Sequence, residues 1–455
     1  MRSSPQVLAE AKVVFLLTVA LLLIVPFHAV LMPEQVLLAL ECIAVILLLI
    51  VFWSGLYQKK TYKVVLWFLW LSLFTGLIYV IPLPFLSDYE LQGRELYQLV
   101  YQWLGSQGLA VQSTYLSIIP YNSVLALLAL LPPIALFFAG ISLPEVHIRY
   151  IIYLLLAIAG IEGAIGLIQY ASNNLVFYFG LTPSGGRSAQ GTYVNRDHFA
   201  ALLELTLPIA IGLMLFSVGR AQNHRGHSEK NRLLNQTLLF AFIAVFIFLA
   251  AVFTRSRAGV FLIMLAVLLS SVIFARHIGG RQSVGVAAVF TTISVGVATT
   301  IGLIPVLNRF VARNPLEDER WFIFKHTIEG IQALFPFGSG PGTFADVYRA
   351  FQPTEQTGFV NSAHNDYLEL LFDMGAFGAF IIIGFLLLYI MGWFKLAGEH
   401  WNRMRFIQVA SGISIFLILL HCSMDFILHE PMNTMIFAFL VGVFLSKREH
   451  KSSRH

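Results

Sequence analysis

His364, Asn365, Asp366, Tyr367 and Glu369 fall within six residues, where a long polar stretch gives way to an apolar helix. Ionisable side chains are costly at a bilayer boundary, so their concentration there points to chemistry at the lipid surface. Histidine titrates near neutrality and can take a proton from a hydroxyl, which suits His364 to the role of general base. Asp366 and Glu369 lie close by in the chain, where either can orient the imidazole or accept hydrogen bonds from sugar hydroxyls. Taken alone, His364 is equally compatible with a histidine that caps the helix start. Farther on, His421 and Asp425 stand four residues apart and are followed by His429-Glu430-Pro431. At that spacing they share a helix face, as a local ion pair or as support behind the first cluster. No compact His and carboxylate spacing suggests a metal ligand set.

Arginines form the second group. Arg187 and Asn195 belong to the stretch Gly185-Gly-Arg-Ser-Ala-Gln-Gly-Thr-Tyr-Val-Asn-Arg-Asp-His198, Arg255 and Arg257 sit in the turn Thr254-Arg-Ser-Arg-Ala-Gly259, and Arg320 precedes Trp321. A guanidinium stays charged at every relevant pH, and its fork binds phosphate oxygens two at a time. A cation at a helix start opposes the helix dipole, so Arg257 has little local reason to be there. Snorkelling to lipid headgroups is the bland explanation. Together with Arg187, the pair suggests an anion site that a lipid pyrophosphate would fill.

These residues must be positioned by a membrane scaffold. The 455 residues are 58% hydrophobic and only 12% charged, which excludes an ordinary soluble domain. Apolar runs recur along the whole chain and predict twelve helices, centred near Leu22, Val45, Leu73, Leu130, Ala159, Ile209, Phe246, Met264, Thr292, Ile382, Ile415 and Phe437. Val13–Met32 reads as a retained first span rather than a removed leader. The net charge of +5 comes from basic residues in short loops, a topology pattern and not a nucleic-acid surface. Most of the 29 Lys and Arg lie in Tyr57–Lys63, Glu145–Arg149, Arg220–Asn235, Arg276–Gln282, Lys395–Arg405, the N-terminal segment and the tail from Lys447. That bias predicts cytoplasmic termini. The two cysteines, Cys42 and Cys422, read as small apolar residues inside spans.

The opposite face then carries three loops. Pro84–Leu116 has a helical pattern over Glu90–Leu104, Asn173–Asp197 is rich in Gly, Ser and Thr, and Asn308–Ala363 is the longest. Within the last, Arg320–Leu334 reads as a helix broken by the turn-rich Phe335–Gly342. No repeat or soluble domain interrupts the chain. The expected architecture is all-α: a single membrane domain over residues 1–455, with residues 308–363 as a large periplasmic loop that helps form a cap.

At these residues the chain resembles the O-antigen ligase/polymerase family of bacterial envelope glycosyltransferases. Arg187 with Gly191-Thr192-Tyr193-Val194-Asn195 is similar to the family's Arg…Gly-Thr-Phe…Asn element, which leads into a span containing a proline, here Pro208. Ser256-Arg257-Ala258-Gly259 resembles its Ser-Arg-Gly element, and Arg320-Trp321 with Pro336–Phe344 resembles its large-loop segment. His364 and Gly375 fit the ligases' His-x10-Gly signature, and His421…Asp425-Phe426…Pro431…Asn433 resembles a later element. One position departs from the ligase form Arg-x3-Leu, because Phe261 stands where leucine is expected and Leu262 follows one place late.

The resemblance implies a metal-independent, inverting, GT-C-type glycosyltransferase of lipopolysaccharide or related polysaccharide synthesis in the bacterial inner membrane, needing no cofactor. Its donor would be a glycan on undecaprenyl pyrophosphate, and its acceptor a sugar such as that of the lipid A-core. It assigns His364, Arg257 and Arg187 to catalysis, the arginines by stabilising the pyrophosphate leaving group. Arg255, Arg320, Asn195, Asn365, Asp366, Tyr367 and Glu369 would bind substrate, with His421 and Asp425 behind them. A polymerase would use the same donor. A transporter is the remaining reading, supported by the intramembrane acids Glu41, Glu162 and Glu204.

Overall fold

A computed structural model describes residues 4–27, 33–58, 60–84, 91–109, 115–172, 188–223, 226–275, 319–396 and 401–447, with residues 285, 292 and 296 between them. Every regular element among the described residues is helical. Among the described residues, nine helical segments are long and apolar enough to cross a membrane, and two shorter helices, Lys63–Leu77 and Pro431–Leu445, are also apolar. The chain is a polytopic membrane protein.

In chain order, the helices are α1 (Ser4–Ile24), α2 (Pro33–Ser54), α3 (Lys63–Leu77), α4 (Glu95–Ser106), α5 (Pro120–Ala129), α6 (Leu131–Ser142) and α7 (Glu145–Ala171). There follow α8 (Arg196–Asn223), α9 (His227–Phe253), α10 (Arg257–Ala275), α11 (Glu319–Leu334), α12 (Asp366–Leu396), α13 (Arg403–His421) and α14 (Pro431–Leu445). Eleven of the twelve expected centres fall on or between these helices; the ninth, around Thr292, lies almost wholly outside the described residues.

Three details differ from expectation. The first helix starts at Ser4, because the apolar window opens at Leu8, and it ends before Pro26. The span around Leu130 is two helices, since Pro132 and Pro133 lack the N–H groups that would continue the α5 ladder. Cys42 is exposed on α2, whereas Cys422 is buried.

The core is built around α8, nearly all of it buried, which packs against α9, α10 and α13. Ser256 caps α10 by accepting the Gly259 N–H at 2.9 Å. Gly259 itself has no room for a side chain: a Cβ there would lie 2.5 Å from that of Ala200 on α8. The arginine turn is therefore pressed directly onto the start of the central helix.

The loop between α11 and α12 is stitched into a break in α12. Gly375 has φ +51°, and a Cβ on it would stand 2.2 Å from the Pro336 carbonyl oxygen. That carbonyl accepts the Ala376 N–H at 2.8 Å, while the Ser339 and Gly340 N–H groups donate to the Phe372 and Asp373 carbonyls. Buried Arg94, just before α4, donates to the Leu116 and Gly338 carbonyls. The His-x10-Gly spacing thus joins a histidine before a helix to the break where the loop docks.

Candidate functional site

Asp425 organises the site. It lies in the turn between α13 and α14, and its side chain is only 1% exposed. One oxygen pairs with His364 Nδ1 at 2.9 Å, and the other accepts from Arg320 Nη2 at 3.1 Å. Arg320, at the start of α11, also donates to the Met424 carbonyl at 2.6 Å and reaches Asp197 at 3.5 Å. Burial alone would push the Asp425 carboxyl up, but the His364 hydrogen bond and the charges of Arg320, His364 and His198 hold it well below the usual carboxylate range.

A carboxylate can only accept, so His364 carries a proton on Nδ1. Its Nε2 bonds to nothing among the described residues, and the side chain is 26% exposed. That nitrogen is open to an incoming group. His364 also has φ +51°, and Arg255 has φ +58°. They are the two non-glycine residues with positive φ among the described residues. Such conformations cost on the order of 1 kcal/mol or more and persist where the surroundings impose them, often at working sites.

Four guanidinium groups, those of Arg196, Arg255, Arg257 and Arg320, form a cluster that meets Asp425 through Arg320. Arg196 lies within electrostatic range of Arg255, Arg257 and Arg320, and its neighbour Asp197 is the nearest counter-charge. Arg255 also sits 5.9 Å over the Tyr170 ring. Arg187 lies outside the described residues.

The other expected residues have partners within the frame. Asn195 caps α8 through the Asp197 N–H at 2.9 Å. Asn365 caps α12, accepting from the Tyr367 and Leu368 N–H groups, and donates to the Ser423 carbonyl. Tyr367 donates to the Leu419 carbonyl at 2.6 Å. Asp366 and Glu369 grip His429 instead of His364: Nδ1 lies 3.0 Å from Asp366 and Nε2 lies 2.9 Å from Glu369. Glu369 also accepts the Ala363 N–H at 2.7 Å. His421 and Asp425 do not pair with each other, because α13 ends between them. His421 turns inward to Glu204 at 3.0 Å, with both side chains fully buried.

Sequence reasoning missed Arg196, Asp197 and His198 as site residues, and it missed His429. The signal was present in Asn195-Arg-Asp-His198: an asparagine cap places the next three side chains around the first turn of a helix. Asn433 anchors that turn, donating to the His198 carbonyl at 2.9 Å and accepting from the Tyr193 hydroxyl at 3.1 Å. Among the described residues no group of three or more His, Cys, Asp or Glu is arranged to hold a metal ion.

A cluster of arginines linked through Asp425 to a histidine with one open nitrogen can hold an anion and move a proton. Residues 242–383 match the family model described as O-Antigen ligase. That stretch is similar to the O-antigen ligase/polymerase family, in line with the resemblance carried by the motifs. The matched stretch contains Arg255, Arg257, Arg320, His364 and Gly375; Arg187, Asn195 and Asp425 fall outside it. No curated protein matches the chain. The match supports glycan-processing chemistry of the O-antigen ligase/polymerase kind on this membrane scaffold.

Proposed function

We propose that the protein is an O-antigen ligase-like transferase that moves a glycan from undecaprenyl pyrophosphate to an acceptor sugar, of the lipid A-core type. The acceptor hydroxyl attacks the anomeric carbon, its proton passes to His364 Nε2, and the bond to the pyrophosphate oxygen breaks. Inversion and metal independence follow from this single displacement, with the arginines rather than a metal ion taking up the leaving-group charge. What supports the reading most is the line Arg320–Asp425–His364, which ends in an open Nε2, with Arg320 itself in electrostatic range of Arg196, as are Arg255 and Arg257. Asp425 fixes the imidazole tautomer and stabilises the imidazolium that forms.

Arg257 and Arg187 are the proposed grips on the pyrophosphate, with Arg255 and Arg320 beside them. Asn195, Asn365, Asp366, Tyr367 and Glu369 contribute by holding the cleft walls in place. The positive-inside bias supports an orientation with this face toward the periplasm and both termini in the cytoplasm, in a bacterial inner membrane.

The test is glycan transfer by the full chain in vesicles, together with electrophoresis of the surface glycans of a deletion strain. His364→Ala should abolish transfer while the protein remains folded. Near-normal transfer by that variant sinks the reading. In the deletion strain, long chains should be lost from the lipid core and accumulate on the carrier lipid. Single repeats capping the core would instead identify a polymerase.

A further inference from the structure

We propose that Arg196 and His198, at the start of α8, form a second phosphate grip in the same cleft. The proposal rests on the glycan-transfer reading only in taking the anion to be the donor's phosphoryl groups.

Arg196 is the cation of the cluster with no hydrogen bond among the described residues, and its Nη1 is buried without a partner. The nearest acid, Asp197, directs its carboxylate to Arg320 at 3.5 Å. Arg255, Arg257 and Arg320 add their like charges. A partly buried guanidinium in that position is held against both desolvation and repulsion, and removing such an uncompensated charge commonly stabilises a protein. Snorkelling would place the charged end in water or headgroups, which does not fit a buried Nη1.

His198 gives the independent second observation. Its side chain is 6% exposed and its Nε2 is buried with no partner. The ring packs edge-to-face on Phe426, centroids 4.6 Å apart, and Phe426 also carries His364 at 5.0 Å. His198 is within electrostatic range of Asp425 as well. Its other nitrogen stands 3.8 Å from Glu430, beyond a hydrogen bond. Two unmet polar groups therefore lie two residues apart on the first turn of a 28-residue helix, whose N-terminus is itself attractive to anions.

A diphosphate has two phosphoryl groups to hold. Arg257, capped onto α10, and Arg196, on the first turn of α8, start from two helices that touch at Gly259 and Ala200. A bridging anion would satisfy Arg196 Nη1 and separate the like charges. Charge-assisted hydrogen bonds of this kind correspond to about 10- to 100-fold in affinity each.

The probe is inorganic pyrophosphate, titrated into the full chain in nanodiscs and followed by calorimetry and by thermal melting. Pyrophosphate should raise the melting temperature of the wild type. Arg196→Met should bind it about 10- to 100-fold more weakly, yet without the anion melt at the wild-type temperature or above. Arg196→Lys, which keeps the charge but loses the fork, should fall between. His198→Phe, which keeps the packing on Phe426, should lose about tenfold. Unchanged binding in Arg196→Met overturns the proposal, and so does a lower anion-free melting temperature with normal binding, which would mark a structural role. Weakened binding in Arg196→Met alongside normal glycan transfer by His364→Ala would keep the anion site and remove the glycan-transfer reading.

Discussion

Two histidines near Phe426 are paired with carboxylates, and they are built for opposite purposes. His364 spends one nitrogen on buried Asp425 and leaves the other open. His429 spends both, one on Asp366 and one on Glu369. A ring that donates from both nitrogens to carboxylates is an imidazolium, and it cannot accept a further proton. The His364 backbone is strained and its partner is held by an arginine. His429 instead ties the start of α12 to the turn before α14, with Asp366 also accepting the Leu428 N–H at 3.2 Å. One pair can turn over a proton. The other braces the loop that presents it.

The largest test of this difference is His364→Ala, expected to lower glycan transfer by about 10²- to 10⁴-fold, the range for loss of a general base. Asp425→Asn should cost less, about 100-fold, because an amide can still hold the ring but no longer stabilises an imidazolium. The fold should depend on Asp425 as well. Its carboxyl is depressed in the folded chain, so the stability it contributes is present above about pH 4 and is lost as the pH falls through the lower folded value. An Asp425→Asn protein with wild-type transfer would show that His364 works without its carboxylate, and the comparison would collapse.

His429→Gln should give the reverse balance, with a several-fold loss of transfer and a clear change in stability. What burial the ring has works against its charge, but Glu369 and Asp366 outweigh this and raise its pKa well above the ordinary histidine value. A raised folded pKa means the brace is fully present below about pH 6.5 and weakens as the pH rises through the folded value. The side chain is 48% exposed, so screening limits the effect to about 1 kcal/mol. Melting temperature measured from about pH 6.5 upward should fall more steeply in the wild type than in His429→Gln. Equal slopes would mean that the ring carries no pH-dependent load.

Most of the scaffold was legible because spans announce themselves by length and hydropathy, and α11 and its turn by periodicity and proline. The loop helix before the turn, read at Arg320–Leu334, begins at Glu319. The pairing within the site was not legible. Asp366 is two residues from His364 but Asp425 is sixty-one residues away, and the sequence favours the near carboxylate. What decides is that α12 starts at Asp366, which turns that side chain toward the 428–429 turn, while the end of α13 at His421 releases Asp425 toward His364. His421 and Asp425 share a helix face only if the helix continues, and it does not. Partner choice across elements is a property of packing, which local spacing does not contain.

The smallest effect should come from Glu162, and it separates the enzyme from a transporter. Glu162 is buried in α7, accepting the Thr192 N–H at 2.8 Å and the Thr192 hydroxyl at 2.9 Å. Both oxygens are used to pin Gly191-Thr192 just before α8, and Glu204 is likewise engaged with His421. Glu41 lies half-buried on α2. Glu162→Gln keeps an acceptor for the Thr192 N–H and should cost about 1 kcal/mol or less, with transfer close to wild type. A proton- or ion-coupled transporter working through Glu162 would lose all function on that neutralisation while tolerating His364→Ala. Measuring the two variants side by side in the same vesicles therefore decides between a buried acid that holds a loop and one that moves a charge.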